Sequence, residues 1–406
     1  MTPGRTLEGV EVVECATFVA GPTCGMTLAQ LGASVVRVDL PGGGSDFGRW
    51  PLSRSGASLY WTNLNKGKRS VALDYRTPEG RELMIALATR EGAGRGIFLD
   101  NVVGRSRVTH QDLAAVRADA ISVHVEGFPG GRPAVDYTVN ASVGIADMTG
   151  PEFLDTPVNH VLPAWDLLTG LHASVAVLAA LQKRRAEGVG SHVDLALYDV
   201  AVSSVGALGW FAEADEAGHS RQRTGNHVFG SFGTDFASRD GERVMVVALT
   251  EGQWHALCAV TGTVDVFAAL EKALDVDLRH EAARYELRET IASILRPWFA
   301  ARPIDDLAAL LDEARVLWAP YLSVDQAGRV ARGAARPVLR DIEQPGVGRM
   351  AASSSPLRWG DDEVWPAPAP ELGSDTLAVL TEELGLGDAE IGGLRDRGVI
   401  ARQDVA

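Results

Sequence analysis

Asp166 follows His160-Val161-Leu162-Pro163-Ala164-Trp165 and precedes Leu167-Leu168-Thr169-Gly170. Beyond it, residues 171–181 form a mostly apolar run of small residues that reads as a buried helix. Asp166 therefore stands where a loop turns into an apolar helix. The helix N-terminus favours its charge, while burial raises the cost of that charge. A carboxylate held in this way can act as a nucleophile, because a closed site strips it of water. The bland alternative is an N-cap, a position that Asp favours. From this segment alone the N-cap is the better reading.

The elements that must position this carboxylate are legible in outline. Residues 10–16 read as a strand, a helix follows through Leu31, and 34–39 reads as the next strand. This is a βαβ unit with short connections, the opening of a doubly wound α/β sheet. It has no G-x-G-x-x-G, which counts against a nicotinamide oxidoreductase. Residues 69–74, 96–100 and 120–125 read as further strands, and 78–89 as a helix with Pro and acidic residues in its first turn. A small-residue helix over about 192–220 carries the chain away. A strand over 242–249 and helices over 253–260, 291–296 and 304–314 read as a smaller α+β domain. The segment after 330 reads as irregular, closing with a helix over 375–384 and a short charged helix. The expected domains are 1–200 as a large Rossmann-like domain, 201–225 as a linker and 226–325 as the small domain. Residues 326–406 are expected to return to the large domain.

The 406 residues are 46% hydrophobic and 22% charged, enough apolar material for a large core. The formal net charge of −15 argues against a general nucleic-acid binder. Cys15, Cys24 and Cys258 have no metal-ligand spacing, so no metal is expected. An odd, low cysteine count and a start without an apolar signal core point to the cytoplasm. The apolar stretch 171–181 is too short for a membrane span, and no membrane partner is expected.

Nearly end to end, the chain resembles the family III coenzyme A transferases. The residues that carry the resemblance begin with 7–14, Ala20-Gly21-Pro22 and Leu31-Gly32-Ala33. They continue with 65–70, Leu73-Asp74, Pro78-Glu79-Gly80 and Asn101. Asp166 with Thr169-Gly170 matches the family's catalytic aspartate, and Ala367-Pro368-Ala369-Pro370 with Leu372-Gly373 matches its last block. Within the family, stretches 25–33, 65–70, 135–140, 158–166 and 318–321 resemble members that move CoA from C1 to C4 of mesaconyl-CoA, the thioester of an unsaturated C5 diacid. Intermolecular CoA transfer between a dicarboxylic acyl-CoA and a free acid is the alternative. A silent CoA-binding protein is a third reading, which the presence of Asp166 in its full motif disfavours. The resemblance implies a Rossmann-like large domain and a smaller α+β domain in an interlocked homodimer. It implies an acyl-CoA substrate, with CoA entering as part of that substrate and no tightly bound cofactor.

On this resemblance Asp166 is the nucleophile. CoA phosphates call for cations at the entrance, with Lys68 and Arg69 first and Arg37, Arg105 and Arg107 after them. The alternative for 66–69 is a solvated basic turn. Asn101 is placed on the adenine or pantetheine arm, or is a plain turn residue. Phe18, Val19 and Ala20 lie at the carboxyl end of the first strand, where backbone amides could form an oxyanion hole. His160 is a diacid clamp, a proton donor or a satisfied structural group. Asp136 and Tyr137 line the site, or Asp136 caps the segment after it. Phe229, in the 225–233 loop, limits escape of the diacid, or the loop is a turn before a strand. The racemase branch of the family carries a His one position before the residue matching Asp136. Here that position is Val135, which cannot take a proton, so racemisation is not expected.

Overall fold

In the computed structural model, residues 5–104, 107–360 and 365–401 are described. The chain forms two compact units. One comprises Met1–Val143, His160–Ala212 and Ala331–Ala406, and the other Gly144–Asn159 and Glu213–Val330.

The first unit is built on a six-stranded sheet. Its strands are β1 (Glu11–Cys15), β2 (Ser34–Asp39), β3 (Arg69–Ala72), β4 (Ile97–Asp100), β5 (Ile121–Glu126) and β6 (Ser191–Ala196). The spatial order is β3-β2-β1-β4-β5-β6, and every pairing is parallel. The first five strands are nearly fully buried, as the continuous Val/Ile-rich runs of a sheet covered on both faces require. Order reverses between β1 and β4, and the loops leaving that switch point are where such sheets bind ligands.

β6 corrects the sequence reading, which put residues from 192 onward in a helix. Ser191-His192-Val193-Asp194-Leu195-Ala196 alternates in burial and pairs with β5. Its helix starts only at Leu197. The segment after 330 is also more regular than read. It holds an antiparallel hairpin of β10 (Leu339–Gln344) and β11 (Gly348–Ser353).

The C-terminal segment closes the β3 edge. Asp375 Oδ2 accepts from Ser70 N at 2.8 Å and Thr376 Oγ1 from Ala72 N at 2.9 Å, so the edge amides are not left open. Val379, Leu380, Ile391, Leu394, Val399 and Ile400 then complete the core formed by Val36, Val38, Val71 and Met84.

Two helices carry the site. Ala20–Gln30 follows β1, and Ala164–Glu187 packs against it and against β5. A Cβ at Gly170 would meet Ala20 O and Thr23 Cβ at 2.6 Å, so glycine permits this close approach. The 24-residue Ala164–Glu187 helix is long and apolar enough to cross a membrane, longer than the 171–181 run suggested. It buries Trp165, Thr169, Gly170, Ala173, Val177 and Leu181 inside this unit and ends in Arg184 and Arg185, the pattern of a core helix.

The second unit holds an antiparallel sheet of β7 (Phe232–Ala237), β8 (Arg243–Ala248) and β9 (Leu317–Pro320). Helices Glu251–Thr261, Arg288–Ala300 and Ile304–Glu313 cover a core in which Phe236 stacks on Phe299 at 4.2 Å. Residues 144–159 sit with this unit, although the sequence reading assigned them to the large domain. Gly225 N donates to Gly150 O at 3.1 Å, and Arg288 pairs with Glu152 at 3.1 Å.

Candidate active site

A cavity of about 940 Å³ opens at the carboxyl ends of β1, β2, β4 and β5. Phe18, Val19, Ala20, Asn101, Asp136, Tyr137 and Asp166 line it, together with Arg49, Tyr60, Arg76 and Arg132. All belong to the first unit.

Asp166 is the third residue of the Ala164–Glu187 helix, so it is not the N-cap. Pro163 holds the cap position and has no side chain to offer. The missing cap comes from another helix. Buried Asp136, the first residue of Asp136–Ser142, accepts from Trp165 N at 2.6 Å and from Asp166 N at 3.1 Å through Oδ2. Its Oδ1 meets His160 Nε2 at 2.9 Å, and Trp165 Nε1 donates to Asn140 at 3.1 Å. Asp136 therefore caps the helix of Asp166 rather than the segment that follows it.

This arrangement leaves the Asp166 carboxyl partly buried and pushed up to about 7. Burial is the main cause, the neighbouring Asp136 charge adds to it, and Arg49 opposes both. A carboxyl raised in this way on a cavity wall fits the pattern of perturbed groups at functional sites.

The β1 loop is fixed from beneath. Phe18 takes φ +65°, a left-handed conformation costly for a bulky residue. Asp46 holds it by accepting from Phe18 N at 2.9 Å, and Arg37 in turn donates to Asp46 and Asp39. Asn101 bridges the switch point, accepting from Thr17 N at 3.0 Å and donating to Thr17 O at 2.9 Å. The amides of Thr17 and Phe18 are thus already engaged. The amides of Ala20 and Gly21 remain as first-turn donors, since helix geometry gives them no partner and no side chain caps that helix, whereas Pro22 has no N–H and Thr23 N donates to Val19 O at 2.8 Å.

Four of the expected cations, Lys68, Arg37, Arg69 and Arg107, do not line the cavity. Lys68 is buried, and its ammonium donates to Glu14, Asn65 and Pro22 O at 2.8–3.0 Å. Arg37 is buried in the same network. Arg69 begins β3, at the opposite end of the sheet from the cavity, and pairs with Glu383. Lys68 and Arg69 are thus tied into ion pairs away from the cavity rather than set at a phosphate entrance. Arg107 lies 3.8 Å from Asp100 and 3.7 Å from Asp194 and does not line the cavity, and Arg105 falls outside the described residues. The cations that do line it, Arg49, Arg76 and Arg132, escaped sequence reasoning. Arg49 and Arg132 stand in loops with no motif around them, and Arg76 lies between Leu73-Asp74 and Pro78-Glu79-Gly80, where it is paired with Asp74. The one available signal for Arg49 was its place after the glycine-rich turn that leaves β2.

His160 is tied to Asp136 and does not line the cavity. Tyr137 lines it and reaches Val161 O at 3.4 Å. Phe229 belongs to the second unit, where it packs on Tyr285 at 5.0 Å and under the Arg221 guanidinium at 3.7 Å. The loop that carries it runs directly into β7, whose Phe232 is a core residue of that unit. Among the described residues no cluster of His, Cys, Asp or Glu could hold a metal ion.

Comparison with known proteins follows this geometry. The chain is 44% identical to 2-methylfumaryl-CoA isomerase of Chloroflexus aurantiacus, over 98% of this chain and 99% of that protein. It is 29% identical to succinyl-CoA:mesaconate CoA-transferase of Haloarcula hispanica, over 94% and 97%. A crystal structure of a CAIB/BAIF family protein from Brucella suis superposes with a TM-score of 0.76 at 27% identity, covering 93% of this chain and 99% of that one. The sequence model of CoA-transferase family III matches residues 7–376, and this chain belongs to that family.

Proposed function

We propose that this protein isomerises 2-methylfumaryl-CoA (mesaconyl-C1-CoA) to 3-methylfumaryl-CoA by intramolecular CoA transfer, with Asp166 as nucleophile. One observation carries the reading. A partly buried carboxylate lies on the wall of a 940 Å³ cavity, in a chain 44% identical throughout to a 2-methylfumaryl-CoA isomerase. Ionised Asp166 attacks the C1 thioester carbonyl, forming a mixed anhydride and releasing CoA thiolate. Thiolate attacks the aspartyl carbonyl, leaving an aspartyl-CoA thioester and the free diacid. The C4 carboxylate then attacks that thioester, and the released thiolate takes the C4 acyl group and frees Asp166. Each exchange becomes a pair of easier acyl transfers. Retention of the diacid gives its second carboxylate a high effective concentration.

Asp136 positions the nucleophile by capping its helix. The amides of Ala20 and Gly21 suit the developing oxyanion. Arg76 and Arg132 suit the CoA phosphates. CoA enters and leaves as part of the substrate, and no tightly bound cofactor is invoked. The protein is read as a cytoplasmic homodimer. Val161, Leu162, Leu171 and Val175 are exposed around the start of the Asp166 helix, and a second copy is their natural cover. Its three cysteines are free and buried, in keeping with a reducing compartment.

The test is incubation of purified protein with mesaconyl-C1-CoA and isotopically labelled free mesaconate. The expected product is the C4 thioester without label. Label in the product would replace this reading with intermolecular transfer. Asp166→Ala is expected to lose turnover by on the order of 10⁴-fold or more. A fully active variant would end the mechanism.

A further inference from the structure

A diacid that stays in the site between two transfers needs a partner for whichever carboxylate is not reacting. In water a carboxylate is well solvated, so a cavity that takes it in must replace that solvation with charge-assisted hydrogen bonds. The candidates on this chain can be sorted by what they already hold. Lys68 and Arg37 are buried in the Glu14–Asp39–Asp46 network. Arg76 is held by both oxygens of Asp74. His160 is bonded to Asp136 and lies off the cavity wall. Arg132 lines the cavity over the ring of Phe128, at 3.5 Å.

Arg49 differs from the first four in holding no carboxylate, and from Arg132, which holds none either, in acting directly on Asp166. It lines the same cavity as Asp166, and its charge is felt at that carboxyl. Among the described residues no carboxylate approaches it within ion-pair distance. Its guanidinium lies 5.5 Å from the ring centre of Phe18 and 5.2 Å from that of Tyr60. Aromatic rings steady a guanidinium through its π surface, and the Tyr60 hydroxyl takes a hydrogen bond from Arg49, which leaves the other N–H groups for a planar anion. Phe18 is itself fixed by its left-handed backbone and its bond to Asp46. The side chain therefore reads as preorganised and lacking an anion.

We propose that Arg49 is the specificity residue that holds the free carboxylate of a dicarboxylic acyl group, taking the C4 carboxylate before transfer and the C1 carboxylate after it. This rests on the reading of Asp166 as the nucleophile and adds the class of acyl group the site selects. Pivoting about one guanidinium presents the two carboxyls to Asp166 in turn without releasing the diacid.

The experiment measures formation of the covalent aspartyl-CoA adduct by rapid quench and intact-protein mass spectrometry. It compares mesaconyl-C1-CoA with tiglyl-CoA, in which a methyl replaces the distal carboxylate, at pH 8.5 so that Asp166 is ionised in every variant. Wild type should prefer the diacid thioester by about 100-fold or more, the discrimination of a site built around a charged hydrogen bond. Arg49→Gln should lose most of that preference, with the diacid rate falling about 100-fold and the tiglyl-CoA rate within a few-fold of wild type. Arg49→Lys should lie between, since it keeps charge without the planar fork. In Arg49→Gln, free mesaconate should escape and labelled mesaconate should enter the product.

Equal loss with both thioesters would overturn the proposal and assign Arg49 to Asp166 or to CoA. An unchanged preference would also overturn it. Wild type that forms the adduct but never the C4 thioester would refute isomerisation while leaving the preference of Arg49 measurable. Wild type that forms no adduct from either thioester would refute the nucleophile and the clamp together. Circular dichroism and thermal melting of both variants separate misfolding from lost selectivity.

Discussion

In the proposed mechanism the ionised form of Asp166 attacks, and its carboxyl is pushed up to about 7 from the ordinary range near 4. The acylation rate should therefore fall about tenfold per pH unit below 7 and level off above it. Asp136→Asn removes the second cause of the shift while its amide oxygen still accepts from the helix, so the acid limb should move to lower pH. A limb that stays put in Asp136→Asn would show that burial alone sets it. The linkage to stability runs the other way. The folded state holds this proton more tightly than the unfolded chain, so ionisation costs stability as pH rises from about 4 to 7. Asp166→Asn should accordingly raise the melting temperature at pH 8, and the gain should vanish near pH 4. Asp166 was readable from its segment together with the family pattern. Its protonation was not, because Asp136 sits thirty residues away. Lys68 was misread for the same reason. Its partner Glu14 lies 54 positions upstream and turns an apparent surface charge into a buried ion pair.

Close packing of two helices sets where Asp166 stands. Gly170 lies one turn after it and touches Ala20 O and the Thr23 side chain of the Ala20–Gln30 helix. Gly170→Ala places a methyl inside contact distance of backbone, which cannot yield as a flexible side chain would. The expected cost is about 1–3 kcal/mol in chemical denaturation, as for overpacked cores. Activity should fall further than stability, since the helix start that carries Asp166 shifts with it. A variant of unchanged activity and stability would mean that the two helices are less tightly apposed. At this scale the parallel sheet was largely legible. β1 to β5 are buried runs with Val, Ile or Leu, bounded by turn residues. β6 was not legible, because an edge strand half in water alternates polar and apolar residues and reads equally as the entry to a helix. The β10–β11 hairpin was hidden for a similar reason, since Arg340, Asp341, Glu343 and Arg349 place charges through both strands.

Neither unit is a continuous stretch of chain. The backbone passes between them near residues 143, 159, 212 and 330. Local pattern could not reveal that 144–159 belongs with the second unit, because that placement rests on contacts such as Glu152 with Arg288, 136 positions apart. The proposed homodimer would extend this dependence on distant partners to a second copy. Val161 is 93% exposed and Val175 63%, beside Leu162 and Leu171. These residues sit at the helix start that carries Asp166 and along the first turns beyond it. Large apolar side chains exposed this near the proposed nucleophile would gain from burial against another chain. A net charge of −15 on each copy opposes that association, and salt screens the repulsion. The proposed dimer should therefore tighten as ionic strength rises, whereas one held mainly by surface ion pairs would loosen. Leu171→Glu combined with Val175→Glu should weaken it, read by native mass spectrometry and sedimentation. Acylation of Asp166 should fall in parallel if the second copy helps exclude water from the cavity. A wild-type protein that stays monomeric across concentration and salt, yet turns over at the full rate, would show that one chain suffices.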